Sequence, residues 1–316
     1  RQGGIVKRLL RRDEPRGNIF YQSEPGGPFK EIESDPSVLD YQKNPQGWIS
    51  INKKIADWGT KRKIATANDL IYAKRKKEAE DEKIKGNGVA NEGVVATRLG
   101  LKGIPNLAEE LHIARNLYLL EYTGGKLHIP TISTAMSVKL IQEAKAKGLQ
   151  VTCSVAVHHL VLTDEKLEEF DTRYKVSPPL RSEIDRQALL EGVRNGVIDM
   201  ITSDHNPIDI EHKKTDFNSA NNGSIGLESA FVSLTTVLPL ALIIEKLTFG
   251  RTAFGLESST ITKGNKANLS LFTPEGNGIF TTESILSKSK NTAFIGVPTQ
   301  GKVYGIINKN KIVLNQ

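Results

Sequence analysis

The sequence predicts an α/β fold built from parallel βα units from residue 86 onward. Between residues 86 and 260, short apolar runs with β-branched residues alternate with longer amphipathic segments, which is typical of strands followed by helices. The run from Val197 to Thr202 stops at a carboxylate, Asp204, where an α/β enzyme keeps a catalytic group. After residue 261, short alternating segments separated by turn residues predict a second, smaller sheet.

Composition excludes several classes of protein. Of the 316 residues, 38% are apolar and 25% charged, as in a soluble globular protein, and no apolar run is long enough to span a membrane. No signal peptide is visible in a chain that begins at Arg1. The single cysteine, Cys153, excludes an internal disulfide framework and fits a reducing compartment, so we expect a cytoplasmic protein with a buried thiol.

The net charge of +7 is concentrated near the start of the chain. Residues 1–85 hold 19 Lys and Arg against 13 Asp and Glu, whereas residues 86–316 hold 24 against 23. A basic segment could meet nucleic acid or an acidic partner. Because no nucleic-acid-binding signature is present, we expect a solvated basic region without an assigned fold, including a charged helix over 70–84.

The elements follow one another in a regular order. Pro105 and Asn106 open a helix whose early turns carry Glu109 and Glu110. Gly148 ends a later helix, and the residues around Pro178 and Pro179 form a loop. The predicted elements after the first helix are a strand at 126–132, a helix at 135–147, a strand at 150–157, an acidic helix from Thr163, a helix at 183–194, a strand at 197–202 and a helix at 227–246.

Polar motifs follow these strands and loops. Read alone, Asp204 and the residues after it are also typical of an Asx turn, so the strand end by itself does not indicate a site. Other polar motifs in the chain favour a functional site over an ordinary turn. They are His128-Ile-Pro-Thr131-Ile-Ser-Thr134, Val157-His158-His159-Leu160, Ser177-Pro-Pro-Leu-Arg181, Ser203-Asp204-His205-Asn-Pro and Gly226-Leu-Glu228.

In this order the motifs resemble those of the dihydroorotases of the amidohydrolase superfamily, over roughly residues 86–316. The resemblance implies a distorted (β/α)8 TIM barrel with a small flanking β-sandwich. We expect a basic region at 1–85, barrel units at 86–260 and sandwich strands at 261–316. Residues 1–85 are too few for the remaining barrel units, so the barrel is incomplete in this chain, completed by another chain, or replaced by a divergent segment.

The resemblance also implies a chemistry. Dihydroorotases interconvert carbamoyl-aspartate and dihydroorotate, a cyclic-amide hydrolysis that uses zinc held by histidines and carboxylates. Asp204 matches the family's metal-binding and proton-transferring aspartate, and we expect substrate contacts from Ser177, His158 and Arg181. Thr131 stands where the family has a metal-binding histidine, and Ile208 where it has another histidine.

A weaker echo of the family lies near the start of the chain. The segment from Ser23 to Glu31 is similar to the family's Glu-Pro-Gly segment, and it places Ile19 and Tyr21 where the family has its first metal-binding histidine pair. Glu78, Glu80 and Asp81 would fall near a further metal-binding strand end, although a charged helix explains them better.

Three hypotheses follow for the function. The chain is a dihydroorotase of pyrimidine biosynthesis whose metal residues lie in segments that this sequence lacks, or a non-catalytic homologue that scaffolds aspartate transcarbamoylase, or a related amidohydrolase with altered chemistry. Because most metal ligands are replaced, we expect a degenerate dihydroorotase-like protein, a pseudoenzyme. Zinc and dihydroorotate are its cofactor and substrate only by resemblance, and we expect a homo-oligomer.

Overall fold

A computed structural model describes residues 19–22, 29–32, 86–256, 261–265, 267–308 and 311–315. The chain divides into two compact units, Arg1–Glu80 and Asp81–Gln316. In the first unit, β1 (Ile19–Gln22) and β2 (Phe29–Ile32) pair antiparallel, with Tyr21 opposite Lys30. The helix predicted over 70–84, and with it the positions of Glu78, Glu80 and Asp81, lies outside the described residues.

Two parallel sheets form the first part of the second unit. The strands β3 (Ala90–Asn91) and β4 (Gly103–Ile104) pair with each other. The strands β5 (Leu127–Ile129), β6 (Val151–Ala156) and β7 (Met200–Thr202) form a parallel sheet in that order. The predicted α/β class with parallel pairing is therefore confirmed, while the described strands do not close into a barrel.

Helices connect and cover these strands. Their bounds are α1 Val94–Leu99, α2 Asn106–Thr123, α3 Ala135–Ala146, α4 Val157–Val161, α5 Glu183–Arg194, α6 Ile210–Lys213, α7 Ala230–Leu234, α8 Leu240–Thr248 and α9 Gly250–Ala253. Short 3-10 turns occupy Asp164–Leu167, Thr172–Tyr174 and Thr282–Ser284. In the described part of the chain, no helix is both long enough and apolar enough to cross a membrane.

Side-chain caps fix the starts of two helices that the sequence predicted to within a residue. Before α3, the Thr134 hydroxyl accepts a hydrogen bond from the Ser137 amide. Before α5, the Ser182 hydroxyl accepts one from the Asp185 amide. Both bonds satisfy backbone donors that the first turn of a helix leaves free.

Two predicted helices are wrong in form. The helix expected at 227–246 is divided into α7 and α8, because Pro239 cannot donate the backbone hydrogen bond that would continue the first helix. The acidic helix expected from Thr163 is a single 3-10 turn. It ends before Phe170, whose φ of 55° lies in the left-handed region and turns the chain away from a helical path.

One apolar core joins the parallel sheet to its helices. Its fully buried members come from several of these elements and include Ile141, Val155, Leu189 and Ile243. Cys153 on β6 is also fully buried, as the sequence predicted, and burial raises the pKa of its thiol to about 12. Burial of this many aliphatic side chains fixes the three strand ends relative to one another.

An antiparallel sheet follows at the end of the chain. Its strands are β8 (Asn268–Ile279), β9 (Pro298–Asn308) and β10 (Lys311–Leu314), in the order β10-β9-β8. Phe272 on β8 packs against Phe231 on α7, with ring centroids 4.6 Å apart. The change to antiparallel strands after residue 261 agrees with the sequence, while the three domain boundaries stay predictions.

Candidate functional site

Three polar residues stand at corresponding places beyond the parallel strands. Thr131 is two residues after the end of β5, His158 two residues after β6, and Asp204 two residues after β7. Because neighbouring parallel strands present their carboxyl ends at one edge of a sheet, all three lie at the edge where α/β proteins bind ligands. We call this edge, defined by Thr131, His158 and Asp204, the strand-end site.

The imidazole of His158 faces the carboxylate of Asp204. Nε2 of His158 lies 3.9 Å from Oδ2 of Asp204, and the two side chains are 1% and 37% exposed. This Nε2 is buried and has no hydrogen-bond partner among the described residues. Burial, and then the neighbouring His159, lower the pKa of His158 well below 6.5, so the ring is neutral near pH 7. Partial burial raises the pKa of Asp204.

The backbone at the strand-end site is in an uncommon conformation. Thr131 has a φ of 50° and Asp204 a φ of 44°, both in the left-handed region that residues other than glycine seldom adopt. The amide of Thr131 donates to the Ser154 hydroxyl on β6 at 3.2 Å, which holds the first of these turns against the neighbouring strand. Such conformations persist where the surrounding structure determines them, and they concentrate at functional sites.

A glycine loop packs closely on the end of β7. The amides of Gly226 and Leu227 both donate to Nδ1 of His205 at 3.3 Å, so this nitrogen is the acceptor and the ring proton is on Nε2. A Cβ on Gly226 would lie 2.2 Å from the Ser203 carbonyl oxygen, which only glycine permits. The loop therefore fixes the backbone immediately before Asp204.

Ser177 lies in a loop that is tied to the helix after β6. The Ser177 residue is exposed, and the peptide bond to Pro178 is cis. Nε2–H of His159 donates to the carbonyl oxygens of Pro178 at 3.1 Å and Pro179 at 3.2 Å. Burial lowers the pKa of His159 to about 4, which keeps it neutral in this bond pattern. A substrate contact from Ser177 stays a prediction.

Arg181, the other predicted substrate contact, is engaged within the protein. It is 3% exposed, and its Nε donates to the Ser133 hydroxyl at 3.0 Å. Its Nη1 donates to the Asn91 side chain at 2.9 Å and the Ile104 carbonyl at 3.0 Å. These bonds connect β3, β4 and the loop after β5. Arg181 therefore acts as a brace between these segments. Its role in substrate binding stays a prediction.

Sequence reasoning missed the carboxylate that holds the loop after β5. Glu109 on α2 accepts hydrogen bonds from the amide and the hydroxyl of Ser133, from the Thr134 amide at 3.2 Å and from the Ser137 hydroxyl at 2.6 Å. Glu109 thereby fixes the chain immediately after Thr131. The cluster of serine and threonine at 133–137 was its only signal in the sequence, and that signal also fits an ordinary helix cap.

A cavity is lined by residues other than Thr131, His158 and Asp204. It has a volume of about 350 Å³, and its polar lining comes from the starts of α2 and α5, the loop after β3 and the first 3-10 turn. Its buried carboxylates are already bonded: Asp164 accepts from Asn91 at 2.7 Å, and Asp185 from the Ala135 amide at 2.9 Å. These hydrogen bonds explain why the two carboxylates are buried there without a ligand.

The residues of the strand-end site do not complete a zinc site. A catalytic zinc ion takes three protein ligands in most enzymes, drawn from histidine, cysteine and carboxylates. The site offers the free Nε2 of His158 and the carboxylate of Asp204, while the third strand end presents the hydroxyl-bearing Thr131. Among the residues that the structure describes, no three His, Cys, Asp or Glu side chains come together as a metal cluster. The substrate contact predicted for His158 stays a prediction. Its buried Nε2, 3.9 Å from Asp204, is also a potential metal ligand.

Comparison with known proteins gives these features a context. Residues 62–313 match the model of the amidohydrolase family. The chain is 39% identical over 241 residues to a dihydroorotase of Geotalea daltonii and 38% identical over 242 residues to one of Acetivibrio thermocellus, each alignment covering 74% of this chain and 57% of the relative. An L-hydantoinase (dihydropyrimidinase) from Arthrobacter aurescens superposes with a TM-score of 0.65 at 25% identity, covering 76% of this chain and 55% of that one. The chain thus spans somewhat over half the length of these relatives.

Proposed function

Because the chain belongs to the amidohydrolase family, we propose that it is a dihydroorotase-like protein whose strand-end site no longer supports metal-dependent hydrolysis of a cyclic amide. The observation that carries this proposal is the residue set at the three strand ends. His158 and Asp204 remain as potential ligands, and Thr131 occupies the third place. Thr131 lies within the part of the chain that matches the family model, so its identity does not depend on segments outside the matched region.

The chemistry explains why two donors are insufficient. Opening a cyclic amide requires a hydroxide near neutral pH, and a bound metal lowers the pKa of water from about 15.7 to about 7. Without a complete set of metal ligands, a side chain of the protein must itself remove a proton from water. The imidazole of His158 is a weak base because burial lowers its pKa well below 6.5, and a weak base generates little hydroxide.

We also propose that the protein retains the family's architecture and its affinity for small cyclic amides. The proposed domains are a basic region at 1–85, TIM-barrel units at 86–260 and sandwich strands at 261–316. A location in the cytoplasm and a place in pyrimidine biosynthesis follow from the dihydroorotase relatives as proposals. If the protein is a non-catalytic homologue, its proposed partner is aspartate transcarbamoylase, which it would scaffold.

Metal content and turnover test the proposal directly. The full 316-residue chain is purified without chelator and analysed for zinc by elemental analysis, and hydrolysis of dihydroorotate is followed beside the Geotalea daltonii dihydroorotase as a positive control. We expect zinc well below one equivalent and no turnover above background. Equimolar zinc together with turnover that disappears in Asp204→Asn would overturn the proposal.

A single restored ligand provides a second test. Thr131→His places an imidazole at the third strand end, and we expect it to raise zinc affinity without creating turnover. Thr131→Gln is the matched control, since it adds a side chain of similar size that is a poor zinc ligand. If Thr131→His hydrolyses dihydroorotate, the remaining machinery is intact, Thr131 alone accounts for the missing activity, and the expectation that further ligands are lost is wrong.

A further inference from the structure

Some asparagines in the described part of the chain are followed directly by glycine. The pairs are Asn87-Gly88, Asn195-Gly196, Asn222-Gly223 and Asn277-Gly278. Asparagine is a thermolabile residue, and a following glycine has no Cβ to hinder attack of its backbone nitrogen on the asparagine side chain. Such a pair loses ammonia spontaneously where the backbone is free to close a succinimide ring. The fold therefore decides which of these pairs reacts.

The pair Asn195-Gly196 is held at the end of α5. The Gly196 amide donates to the Val193 carbonyl at 3.3 Å. The side-chain amide of Asn195 donates to the Glu191 carboxylate at 2.8 Å. The nitrogen that would attack and the group that would leave are therefore both engaged.

The pairs Asn222-Gly223 and Asn277-Gly278 are held in other ways. Gly223 is buried, and its amide donates to the Lys175 carbonyl at 3.0 Å. Asn277 and Gly278 lie in β8 and pair with β9. Because strand pairing keeps the backbone extended, the side chain of Asn277 and the nitrogen that follows it stay apart.

The pair Asn87-Gly88 has none of these restraints. Asn87 is exposed and lies in a turn before β3, outside the described helices and strands. The Gly88 amide donates no hydrogen bond to another described residue. We propose that Asn87 is a site of spontaneous deamidation, at which isoaspartate forms faster than at Asn195, Asn222 or Asn277.

The reaction needs only water and a base in solution. The deprotonated nitrogen of Gly88 attacks Cγ of Asn87, and a new C–N bond closes the succinimide. The bond from Cγ to the side-chain nitrogen breaks, and this nitrogen leaves as ammonia after taking up a proton from water. Water then opens the ring. Cleavage at Cγ gives aspartate, cleavage at the main-chain carbonyl gives isoaspartate, and either product carries a new carboxylate.

The segment after Asn87 has little room for this change. A Cβ on Gly88 would lie 2.4 Å from the Gly103 carbonyl oxygen, so the backbone here packs directly on β4. The next amide, that of Val89, donates to the Lys102 carbonyl at 2.9 Å. Isoaspartate lengthens the main chain by an extra carbon immediately before these contacts. We therefore expect β3 to lose part of its attachment to β4.

Ageing of the full chain tests the site. The folded protein is incubated at mildly alkaline pH, and peptide mapping by mass spectrometry with electron-transfer fragmentation locates isoaspartate. We expect it to form several times faster at Asn87 than at Asn195, Asn222 or Asn277, and faster as the pH rises, because the deprotonated amide attacks. In urea, where the fold holds none of these pairs, the rates should be similar. A folded chain in which another of these asparagines reacts as fast as Asn87, or an unchanged order in urea, overturns the proposal.

Two glutamine variants provide a matched comparison. Glutamine has one more methylene than asparagine and closes its ring slowly, so Asn87→Gln should lose most of the acidic species that ageing produces in isoelectric focusing. Asn195→Gln, at another exposed asparagine before glycine, should retain them. Acidic species that persist undiminished in Asn87→Gln would show that the reaction occurs elsewhere.

Hydrogen exchange tests the effect on β3. Asn87→Asp carries the new charge without the extra main-chain carbon, so it separates the two consequences of the reaction. We expect the Val89 amide to exchange several times faster in the aged wild-type chain than in freshly prepared Asn87→Asp. Equal exchange in the two samples would show that the attachment of β3 to β4 survives the modification.

Discussion

The hydroxyl of Ser137 on α3 donates a 2.6 Å hydrogen bond to the carboxylate of Glu109 on α2. The same carboxylate accepts from the amide of Ser133 at 2.7 Å. One side chain of α2 thus fixes both the first turn of α3 and the loop that leads into it from Thr131. The strand-end site consequently depends on a residue that does not belong to it.

Removing this carboxylate should destabilise the second unit. Glu109→Ala leaves buried donors of Ser133, Thr134 and Ser137 without their acceptor. Each unsatisfied donor costs about 1 kcal/mol or more. We expect the free energy of unfolding to fall by about 2–4 kcal/mol. Urea denaturation measures it, with Glu143→Ala on the exposed side of α3 as the control. Equal midpoints for the two variants would contradict the assigned role.

Relieving the left-handed backbone at Thr131 should stabilise the protein. A β-branched residue at a φ of 50° is strained by about 1–2 kcal/mol, whereas asparagine tolerates this region. We expect Thr131→Asn to raise the free energy of unfolding by about 0.5–1 kcal/mol in thermal denaturation. Thr97→Asn, on the exposed side of α1, should give no gain. A loss of stability in Thr131→Asn would mean that the threonine side chain makes a compensating contact.

Adding one methyl group at Gly226 should be poorly tolerated. Its Cβ would lie 2.2 Å from the Ser203 carbonyl oxygen, so the backbone before Asp204 must move. We expect Gly226→Ala to cost about 2–4 kcal/mol in urea denaturation. Gly125→Ala is the matched control, since its Cβ would meet its nearest neighbour at 3.8 Å. Comparable stability of the two variants would show that the close approach is easily relaxed.

The buried His159 should make stability depend on pH. Its pKa is about 4 in the fold and about 6.5 when unfolded, so between these values the unfolded chain binds the extra proton. The contribution of His159 to the free energy of unfolding is fully present above pH 6.5. It falls by up to about 3 kcal/mol as the pH drops toward 4. His159→Gln keeps a donor for the two proline carbonyls, and it should flatten the decline.

Chemical denaturation at a series of pH values measures this effect. His212→Gln, at an exposed histidine, should retain the wild-type pH dependence. A His159→Gln curve parallel to the wild-type curve between pH 4 and 6.5 would show that other groups control acid unfolding.

Local signals predicted the regular elements well. The helix expected at 183–194 runs from Glu183 to Arg194, because Ser182 supplies the cap and the apolar spacing continues without interruption. The single helix predicted at 227–246 is wrong, although Pro239, which precedes α8, stands inside that run and is a local signal for the division. The short helix α1 was missed, because only six residues after Gly93 carry its pattern.

Through-space relationships were out of reach of the sequence. Asp204 was found because a strand end is a local feature, and its family resemblance is carried by adjacent residues. The bonds of Glu109 connect residues 24 to 28 positions apart, and no periodicity encodes them. The partnerless Nε2 of His158 follows likewise from the packing of β6 beside β7, which only the assembled sheet reveals.

The brace formed by Arg181 has a consequence for synthesis of the chain. Its partners Asn91, Ile104 and Ser133 precede it by 90, 77 and 48 residues. At about 5–20 residues per second, the ribosome needs roughly 5–20 s to deliver the guanidinium after Asn91 has been made. During that interval the polar groups that Arg181 later joins stay hydrated on the nascent chain. A ribosome that stalls before the codon for Arg181 therefore holds a chain in which β3, β4 and the loop after β5 lack the side chain that joins them.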